Sequence, residues 1–323
     1  MIRLLADEFV RVTESAAIAC SRLMGKGDKD AADQLAVDAM RQVLNTIDIK
    51  GRIVIGEGER DEAPMLFIGE EVGTGNGIEI DIAVDPLEGT NLAAAGQPNS
   101  IAVLAASEKG GLLHAPDTYM EKLVVRSECI GNVDIRKSVK QNIEGIARGL
   151  NRDVQDLTIV VLDRPRHSQL ISDIRATGAR IKLITDGDVM GAVSAVLEGT
   201  NIHALMGIGA APEGVIAAAA IKCLGGEIQA RMRWRSEEEK QRAEKMGIDT
   251  NPDKVYFTND LAPGKNIIFS ATGVTNGEFL NGVHLFKGGA RTSSILVGND
   301  PARVRFINSV HIFNENAYPI RLL

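Results

Sequence analysis

The sequence predicts an α/β protein of mixed (α+β) type, with a mixed N-terminal sheet and a mainly parallel C-terminal sheet. Three observations predict this fold class. Apolar residues recur at helical spacing twice within the first 50 residues. The next stretch, to about residue 114, contains short apolar runs separated by glycine-containing turns, as strands are. From about residue 157 strand and helix patterns alternate, which is typical of parallel strands joined by right-handed crossovers.

The N-terminal part is expected to contain two helices separated by a polar loop at 25–29. Asp33 should then lie in the first turn of the second helix, near its positive dipole end. The apolar positions that define the helices are Leu4, Leu5, Phe9 and Val12 in the first, and Ala32, Leu35, Ala36, Ala39, Met40 and Leu44 in the second.

Closely spaced strands follow these helices, and their spacing favours an antiparallel or mixed sheet backed by the helices. Glycine-containing turns at 73–77 and 109–111 separate some of them. The predicted strands are 52–56, 66–70, 78–84, 101–106 and 111–114.

The second half is expected to alternate strands at 157–162, 181–184, 202–206 and 227–231 with helices at 165–176, 189–197 and 212–224. Ligands bind beyond the carboxyl ends of such strands. Those ends carry the polar loops 164–166, 186–188 and 207–214. The densely charged 231–245 segment predicts a solvated helix or loop, and strands return at 267–270, 283–286 and 294–297.

The polar, helix-prone stretch at 140–152 places a predicted domain boundary near 140–156. The N-terminal domain would span 1–150 and carry most metal ligands. The C-terminal domain would span 151–323 and carry the substrate-binding loops and Glu213.

Composition narrows the class of protein. Hydrophobic residues at 44% and charged residues at 24% are typical of a soluble globular chain. The net charge of −7 argues against a nucleic-acid partner, which needs a basic face. Three widely spaced cysteines form neither a disulfide framework nor a zinc pattern, and no apolar signal core follows Met1. We therefore expect a cytoplasmic protein without a membrane partner.

Two acidic turns follow predicted strands. Asp85-Pro86-Leu87-Glu88-Gly89-Thr90 follows an alternating run, and Gly56-Glu57-Gly58-Glu59 follows another. With Asp33 and Glu213, five acidic candidates lie at strand ends or helix starts: Asp33, Glu57, Asp85, Glu88 and Glu213. Gathered carboxylates repel one another unless cations neutralise them. Oxygen ligands select hard cations, Mg²⁺ or Mn²⁺. The alternative is that these are ordinary turn residues.

Such ions commonly serve phosphoryl chemistry, where they clamp phosphate and activate water. No activated serine or cysteine appears in the sequence, so water is the expected nucleophile, with the Thr90 hydroxyl placed to orient it. Scattered histidines receive no catalytic role. Lys29, Arg164 and Arg166 supply cations for a substrate, whereas Asp186 and Asp188 can accept hydrogen bonds from sugar hydroxyls. Backbone amides of Gly89-Thr90 and of 207–214 can hold phosphate oxygens.

Two other motifs compete with this interpretation. Gly207 and Gly209 begin a dinucleotide-binding pattern, but Pro212 occupies the place of the third glycine. The segment Asp186-Gly187-Asp188-Val189 is similar to the strand-end motif of haloacid-dehalogenase-like phosphatases, in which the first aspartate is phosphorylated. The acidic pair expected downstream in that family is missing from the sequence.

Across nearly its whole length the chain resembles class II fructose-1,6-bisphosphatase, a bacterial branch of the lithium-sensitive, metal-dependent phosphatase superfamily. Together the matching motifs are highly specific, although any one alone would not be. They are RVTESAA at 11–17, GDK at 27–29, VIGEGE at 54–59, DEAPML at 61–66, DIAVDPLEGT at 81–90, APDTYM at 115–120, DGDV at 186–189 and GIGAAPEGV at 207–215.

The resemblance implies a layered α-β-α-β-α sugar-phosphatase fold and removal of the 1-phosphate of fructose 1,6-bisphosphate by metal-activated water, as in gluconeogenesis. It implies metal ligands at the five acidic candidates, with the Leu87 carbonyl as an addition, and Mn²⁺ or Mg²⁺ as cofactor. Catalytic roles fall on Thr90, Asp61 and Lys29. Substrate contacts fall on Glu88, Gly89, Thr90, Tyr119, Arg164, Pro165, Arg166, Asp186, Gly187, Asp188 and Ala210. We also expect a homo-oligomer, a dimer or tetramer.

Some features leave the substrate open. Ala210 stands where many members carry glycine, and the loop at 72–77 is shorter than in much of the photosynthetic branch. In contrast, 199–206 and 88–92 look like that branch, whose members also hydrolyse sedoheptulose 1,7-bisphosphate. Inositol and nucleotide phosphatases of the superfamily normally carry an aspartate where this chain has Glu88. An inactive sugar-phosphate sensor would have no need of five metal carboxylates.

Overall fold

The computed structural model describes residues 2–58 and 65–313. Within these ranges the helices are α1 Ala6–Ser21, α2 Lys29–Leu44, α3 Thr90–Ala95, α4 Val139–Leu150, α5 Ser168–Ala176, α6 Asp188–Val196, α7 Ala211–Leu224, α8 Glu237–Lys245 and α9 Thr258–Leu261. The strands are β1 Ile49–Ile55, β2 Glu71–Val72, β3 Ile78–Glu88, β4 Ile101–Glu108, β5 Tyr119–Val125, β6 Thr158–Leu162, β7 Arg180–Ile184, β8 Ala204–Ala210, β9 Glu227–Arg233, β10 Tyr256–Phe257, β11 Ile267–Gly273, β12 His284–Phe286, β13 Gly289–Asn299 and β14 Ala302–Ile312.

The first sheet is mixed, as predicted. Its strand order is β12-β13-β11-β4-β3-β1-β2, and β14 pairs with the free side of β13. Strands β1 and β3 run parallel, whereas the other neighbours run antiparallel. The parallel pair brings the carboxyl ends of β1 and β3 to the same edge, where the two predicted acidic turns follow.

The second sheet has the order β10-β9-β5-β8-β6-β7. Only β8, β6 and β7 run parallel, and β5, β9 and β10 are antiparallel to their neighbours. The prediction of a mainly parallel C-terminal sheet was therefore wrong. Alternating strands and helices correctly indicated the β6–α5–β7 crossover, but periodicity does not specify which distant strand completes a sheet. Here β5 lies between β8 and β9.

Five layers stack in the order predicted from the resemblance. Helices α1 and α2 pack on the outer face of the first sheet. Helices α6 and α7 lie between the sheets, and α4 and α5 cover the outer face of the second. Helix α7 is buried on nearly all sides because it contacts strands of both sheets. Such a helix is expected to be apolar all round, which its run of alanine, valine and isoleucine provides.

Local signals explain where the helices begin. The Asp28 side chain caps α2 by accepting a hydrogen bond from the Ala31 amide at 3.0 Å. Helix α4 begins with a capping box formed by Ser138 and Gln141. Helix α7 carries Pro212 in its first turn, where a missing amide costs nothing. Asp33 is the fifth residue of α2, so it lies just past the predicted first turn.

Two predicted strands are absent from the described chain. Residues 66–70 form bends and turns, because Leu66 has a φ of 52° and the Gly69 amide turns back to the Ile53 carbonyl. Residues 111–114 are irregular and bond instead to Leu261 of α9 through the Leu113 amide. Strands β2, β5, β10 and β14 and helices α3 and α9 were not predicted. The charged segment at 231–245 ends β9 and then forms helix α8, and strands return at β11, β12 and β13 as predicted.

The chain passes from the first sheet to the second at β5 and returns at β11. Neither passage falls at the predicted boundary near residue 150, where α4 ends. The two sheets also share the middle helical layer. Division into units at 1–150 and 151–323 stays a prediction.

Candidate active site

An open pocket of about 490 Å³ lies where the two sheets and the middle layer meet. Four chain segments line it with acidic side chains: α2, the turn after β1, the end of β3 and the start of α7. The predicted metal-site residues that line it are Asp33, Glu57, Asp85 and Glu213, and Lys29, Thr90 and Ala210 also face it. The fifth carboxylate, Glu88, is buried beside them.

A bulge at the end of β3 allows Asp85 and Glu88 to reach one point. Residues three apart on a regular strand face opposite sides of the sheet. Here Asp85 pairs with Val103 and Glu88 with Ile101, so one extra residue is inserted on β3. The Leu87 amide donates to Asp85 Oδ1 at 3.1 Å, which fixes the turn. Gly89 follows with a φ of 78°, a left-handed conformation that favours glycine.

Asp85, Glu88 and Glu213 form the centre of the cluster. Ligand oxygens of all three lie within 4.8 Å of one another. Glu88 Oε1 accepts a hydrogen bond from the Val189 amide in the first turn of α6 at 3.2 Å. Glu213 Oε2 is buried and accepts no hydrogen bond from any residue in 2–58 or 65–313. A buried carboxylate oxygen without a donor indicates a missing cation or water.

Asp33 and Glu57 extend this centre. A hydrogen bond between the two carboxyls is among the causes that raise the pKa of Glu57, and it opposes the rise that burial causes in the pKa of Asp33. Glu57 also interacts electrostatically with Asp85 and with Glu213. The structure therefore brings all five predicted carboxylates together, although the roles assigned to them stay predictions.

Burial raises the pKa of all five carboxyls, and repulsion within the cluster raises the pKa of Glu57, Asp85 and Glu88 further. Burial, followed by the charge of Asp33, raises the pKa of Glu57 to about 8. Burial raises the pKa of Asp85 well above its usual range, and the charges of Glu57 and Glu213 raise it further. For Glu88 the causes are burial and then the charge of Asp85. Burial also raises the pKa of Asp33 and of Glu213. Such a site is costly unless positive charge is bound in it.

The donor set fits a hard divalent cation. All of the gathered side-chain atoms are carboxylate oxygens, which suit Mg²⁺ and Mn²⁺ better than zinc or copper. Glu213 Oε2, which is buried and accepts no hydrogen bond from the described residues, is one of these oxygens and suits a cation.

Thr90 is the first residue of α3 and lies at the edge of the cluster. Its hydroxyl donates to the Leu87 carbonyl at 3.0 Å, so its lone pairs stay available to accept a hydrogen bond. Lys29, the first residue of α2, is exposed at the pocket. Asp61, the predicted partner of Thr90, lies outside the described residues.

The predicted sugar-binding loop lies beside the pocket. Asp186 accepts hydrogen bonds from Asn91 at 2.9 Å and from Arg164 at 3.4 Å. Asn91 also lines the acidic pocket, so it links the two regions. Gly187 caps α6 with a φ of 74° and lies next to Glu88.

Tyr119 and Arg166 form a second rim of the site. Tyr119 pairs with Ala210 across β5 and β8, and Ala210 lines the acidic pocket. The Arg166 guanidinium lies 4.8 Å from the centre of the Tyr119 ring and donates to the Ile208 carbonyl at 2.7 Å. Pro165 begins the turn that carries Arg166.

Sequence reasoning missed three side chains that hold these loops. Lys122 makes a buried ion pair with Asp188, the predicted sugar-binding residue, at 2.7 Å. His167 accepts from the Ile208 amide at 2.7 Å and donates to the Leu162 carbonyl at 2.7 Å, so the ring is neutral. Arg235 lies 5.2 Å from the Tyr119 ring centre. A lysine at a buried strand position is a usable signal, but β5 itself was not predicted.

Comparison with known proteins gives the family. A family model described as bacterial fructose-1,6-bisphosphatase, glpX-encoded, matches residues 3–311. The chain belongs to this family. A protein of Synechococcus elongatus named D-fructose 1,6-bisphosphatase class 2/sedoheptulose 1,7-bisphosphatase is 51% identical over 98% of each chain. A protein of Thermosynechococcus vestitus with the same name is 50% identical over 100% of both.

Similarity to solved structures is weaker. The extragenic suppressor protein suhB from Bartonella henselae has a TM-score of 0.33 and 14% identity, over 59% of this chain and 71% of that one. Family membership makes the chain a phosphatase of the hydrolase class. Among the described residues, no helix has the length and apolar character needed to cross a membrane.

The raised pKa of Glu57 predicts a pH-dependent stability without cations. Because the folded state holds this proton more tightly than the unfolded chain, the stabilisation is complete below the ordinary value of 4.5 and is lost as pH rises through about 8. Chelated protein should therefore lose free energy of unfolding over this interval. Added Mn²⁺ should restore more of it at pH 8 than at about pH 5.5, measured by urea unfolding.

Glu57→Gln is the control for this prediction, because it removes one titrating member of the cluster. It should flatten the loss of stability with pH in chelated protein. Equal stabilisation by Mn²⁺ at both pH values would contradict a cation site built from these carboxylates.

Proposed function

We propose that the chain hydrolyses the 1-phosphate of fructose 1,6-bisphosphate to fructose 6-phosphate and phosphate, and that it also hydrolyses sedoheptulose 1,7-bisphosphate. The convergence of five carboxylates from four chain segments, four of them lining one open pocket and Glu88 buried beside them, carries the proposal. The names of its relatives in Synechococcus and Thermosynechococcus support the second substrate.

Asp33, Glu57, Asp85, Glu88 and Glu213 would hold Mg²⁺ or Mn²⁺ in this proposal. A bound divalent cation supplies Lewis acidity to the phosphate and lowers the pKa of water. The chain's own residues then have separate tasks. Lys29 lies at the pocket mouth with a charge that can attract a phosphate. The β3 bulge fixes Asp85 and Glu88 relative to Thr90.

Thr90 is proposed to orient the attacking water. Its proton is directed to the Leu87 carbonyl in the structure, which leaves its lone pairs to accept from a water in the pocket. The partner predicted for this hydroxyl, Asp61, is proposed to act with it, and the Leu87 carbonyl offers a second acceptor for the Thr90 proton. Thr90 would thus fix the orientation of the water without being deprotonated itself.

The sugar and its distal phosphate are proposed to contact the rim residues. Arg164 and Arg166 supply charge, Tyr119 supplies a ring edge and a hydroxyl, and Asp186 supplies acceptor oxygens. The backbone of Gly89, Gly187 and Ala210 would contact substrate at the starts of α3, α6 and α7. Glu88 and Asp188 are more deeply buried, so any contact they make with substrate would be from beneath.

The geometry disfavours a phospho-aspartate at Asp186. A nucleophilic oxygen should be free and close to the cation site, but both oxygens of Asp186 accept hydrogen bonds, from Asn91 and Arg164. The second aspartate of that motif, Asp188, is paired with Lys122. Water activated in the carboxylate pocket is the better-supported nucleophile.

A homo-oligomer, either a dimer or a tetramer, is proposed as the assembly, in the cytoplasm and without nucleic-acid or membrane partners. Strand β14 supports the oligomer because, among residues 2–58 and 65–313, it lies at the edge of the first sheet and exposes apolar side chains. Phe306 is 54% exposed and Ile312 is 50% exposed. Long exposed apolar edge strands are normally covered.

Phosphate release from a panel of phosphate esters tests the proposed function. The panel holds fructose 1,6-bisphosphate, sedoheptulose 1,7-bisphosphate, fructose 6-phosphate, inositol 1-phosphate and AMP, each with Mg²⁺, Mn²⁺ or chelator. We expect cation-dependent turnover of the two bisphosphates and little of the others. Preferential hydrolysis of inositol 1-phosphate or AMP would overturn the substrate assignment.

Asp85→Asn and Glu213→Gln should each lower turnover roughly a thousandfold or more, because each removes a charged oxygen from the cluster. Glu79→Gln is the matched control, since Glu79 is exposed and pairs with the surface Lys109. The turnover of that control should equal the turnover of the unmodified chain. Near-normal turnover of either cluster variant at saturating Mn²⁺ would remove these residues from the proposed cation site.

Thr90→Val should lower turnover by about a hundredfold to ten-thousandfold, the usual cost of losing one positioned proton-transfer partner. Thr90→Ser keeps the hydroxyl and should retain measurable activity. Mn²⁺ affinity, measured by calorimetry, should hardly change in either. Equal turnover of the two variants at equal metal occupancy would show that the hydroxyl only forms the turn.

A further inference from the structure

Lys122 is a fully buried cation beneath the active-site pocket. It lies on β5 with a relative exposure of 2%, and its Nζ is 2.7 Å from Asp188 Oδ2. The exposed fractions of the two side chains are 1% and 6%. A charge pair this deep requires close contact to offset the loss of hydration. Its position therefore calls for a functional explanation as well as a structural one.

Two glycines make room for this pair. A Cβ at Gly209 would lie 2.0 Å from Asp188 Oδ2 and 3.0 Å from Lys122 Nζ. A Cβ at Gly214 would lie 3.3 Å from Lys122 Cε and 2.4 Å from the sulfur of Met120. The strand β8 and the first turn of α7 are thus shaped to let the lysine pass between them. Both glycines lie within four residues of Glu213.

The pair lies directly against the carboxylate cluster. Asp188 is the first residue of α6, and the next residue, Val189, donates its amide to Glu88. Helix α7 carries Glu213 in its first turn, directly before Gly214, whose missing Cβ makes room for Lys122. Asp188 therefore places a further carboxylate next to the residues that hold Glu88, and Lys122 pairs with it.

We propose that Lys122 is a fixed internal counter-cation that withholds Asp188 from metal coordination and so sets the cation affinity of the five-carboxylate site. Lys122 is a positioning residue in this sense, because it acts through Asp188 and Glu213 without reaching the substrate pocket. The inference rests on the proposed function, which requires a cation in that site.

Opposite charge changes at this pair should move cation affinity in opposite directions. Lys122→Met removes a positive charge and leaves Asp188 free, so Mn²⁺ should bind more tightly, roughly tenfold or more. Asp188→Asn leaves the lysine charge uncompensated, so Mn²⁺ should bind more weakly by a similar factor. A merely structural role would weaken binding in both variants, because each would disturb the same loops.

The experiment is calorimetric titration of the full chain with Mn²⁺ in two buffers of different ionisation enthalpy, which separates displaced protons from cation binding. The double variant Lys122→Met/Asp188→Asn keeps the net charge and should return close to the unmodified affinity. Lys109→Met is the matched control, because its pair with Glu79 at 3.3 Å is exposed at the surface. That variant should leave Mn²⁺ affinity unchanged.

Each outcome decides one question. No Mn²⁺ binding to the unmodified chain would overturn the proposed function itself. The unmodified chain could bind Mn²⁺ normally while Lys122→Met and Asp188→Asn shift its affinity in the same direction or not at all. That result would overturn the role of Lys122 and leave the proposed function standing. If Lys122→Met does not fold, the Mn²⁺ affinity of Asp188→Asn is compared with that of the double variant instead. Weaker binding by Asp188→Asn than by the double variant supports the proposal, and equal binding overturns it.

Discussion

Repulsion among carboxylates at the junction of the two sheets is the constraint on which the rest of the structure depends. Asp85, Glu88 and Glu213 place oxygens within 4.8 Å of one another, and burial raises the pKa of all three. Charges this close are costly in a poorly solvated pocket. Two contacts offset part of this repulsion: the Val189 amide donates a hydrogen bond to Glu88, and Lys122 forms an ion pair with Asp188. Glu213 Oε2 accepts no hydrogen bond from the described residues and is proposed to bind a cation.

The layered architecture supplies rigid supports for these charges. Strands β1 and β3 run parallel, so their carboxyl ends meet at one edge of the first sheet. Helix α7 contacts both sheets and carries Glu213 in its first turn, where the helix dipole favours negative charge. Hydrogen bonds from Asn91 to Asp186 and from Val189 to Glu88 then join the acidic pocket to the second sheet's loops. A shift of either sheet would therefore separate the proposed metal ligands from the proposed substrate contacts.

Features that depend on short stretches of sequence, such as the long helices and the turns after strands, were predicted correctly. Acidic turns after β1 and β3 gave Glu57, Asp85 and Glu88, and the helical spacing gave α1, α2 and α7. Partners distant in sequence were not predictable in this way. The antiparallel β5 depends on pairing with β8 and β9, so its buried Lys122 was missed and the second sheet was expected to be mainly parallel. Likewise, Leu66 sits where an apolar run suggested a strand, but its backbone turns against β1.

Anomalous diffraction at the manganese edge, from crystals of the full chain soaked in Mn²⁺, tests the central claim most directly. We expect anomalous peaks between Asp85, Glu88 and Glu213, with Asp33 and Glu57 as further ligands and Asp188 still bonded to Lys122. Coordination distances should be about 2.0–2.6 Å, as for hard cations with oxygen ligands. A peak elsewhere, or full occupancy by Mn²⁺ with Glu213 turned away from it, would contradict the account.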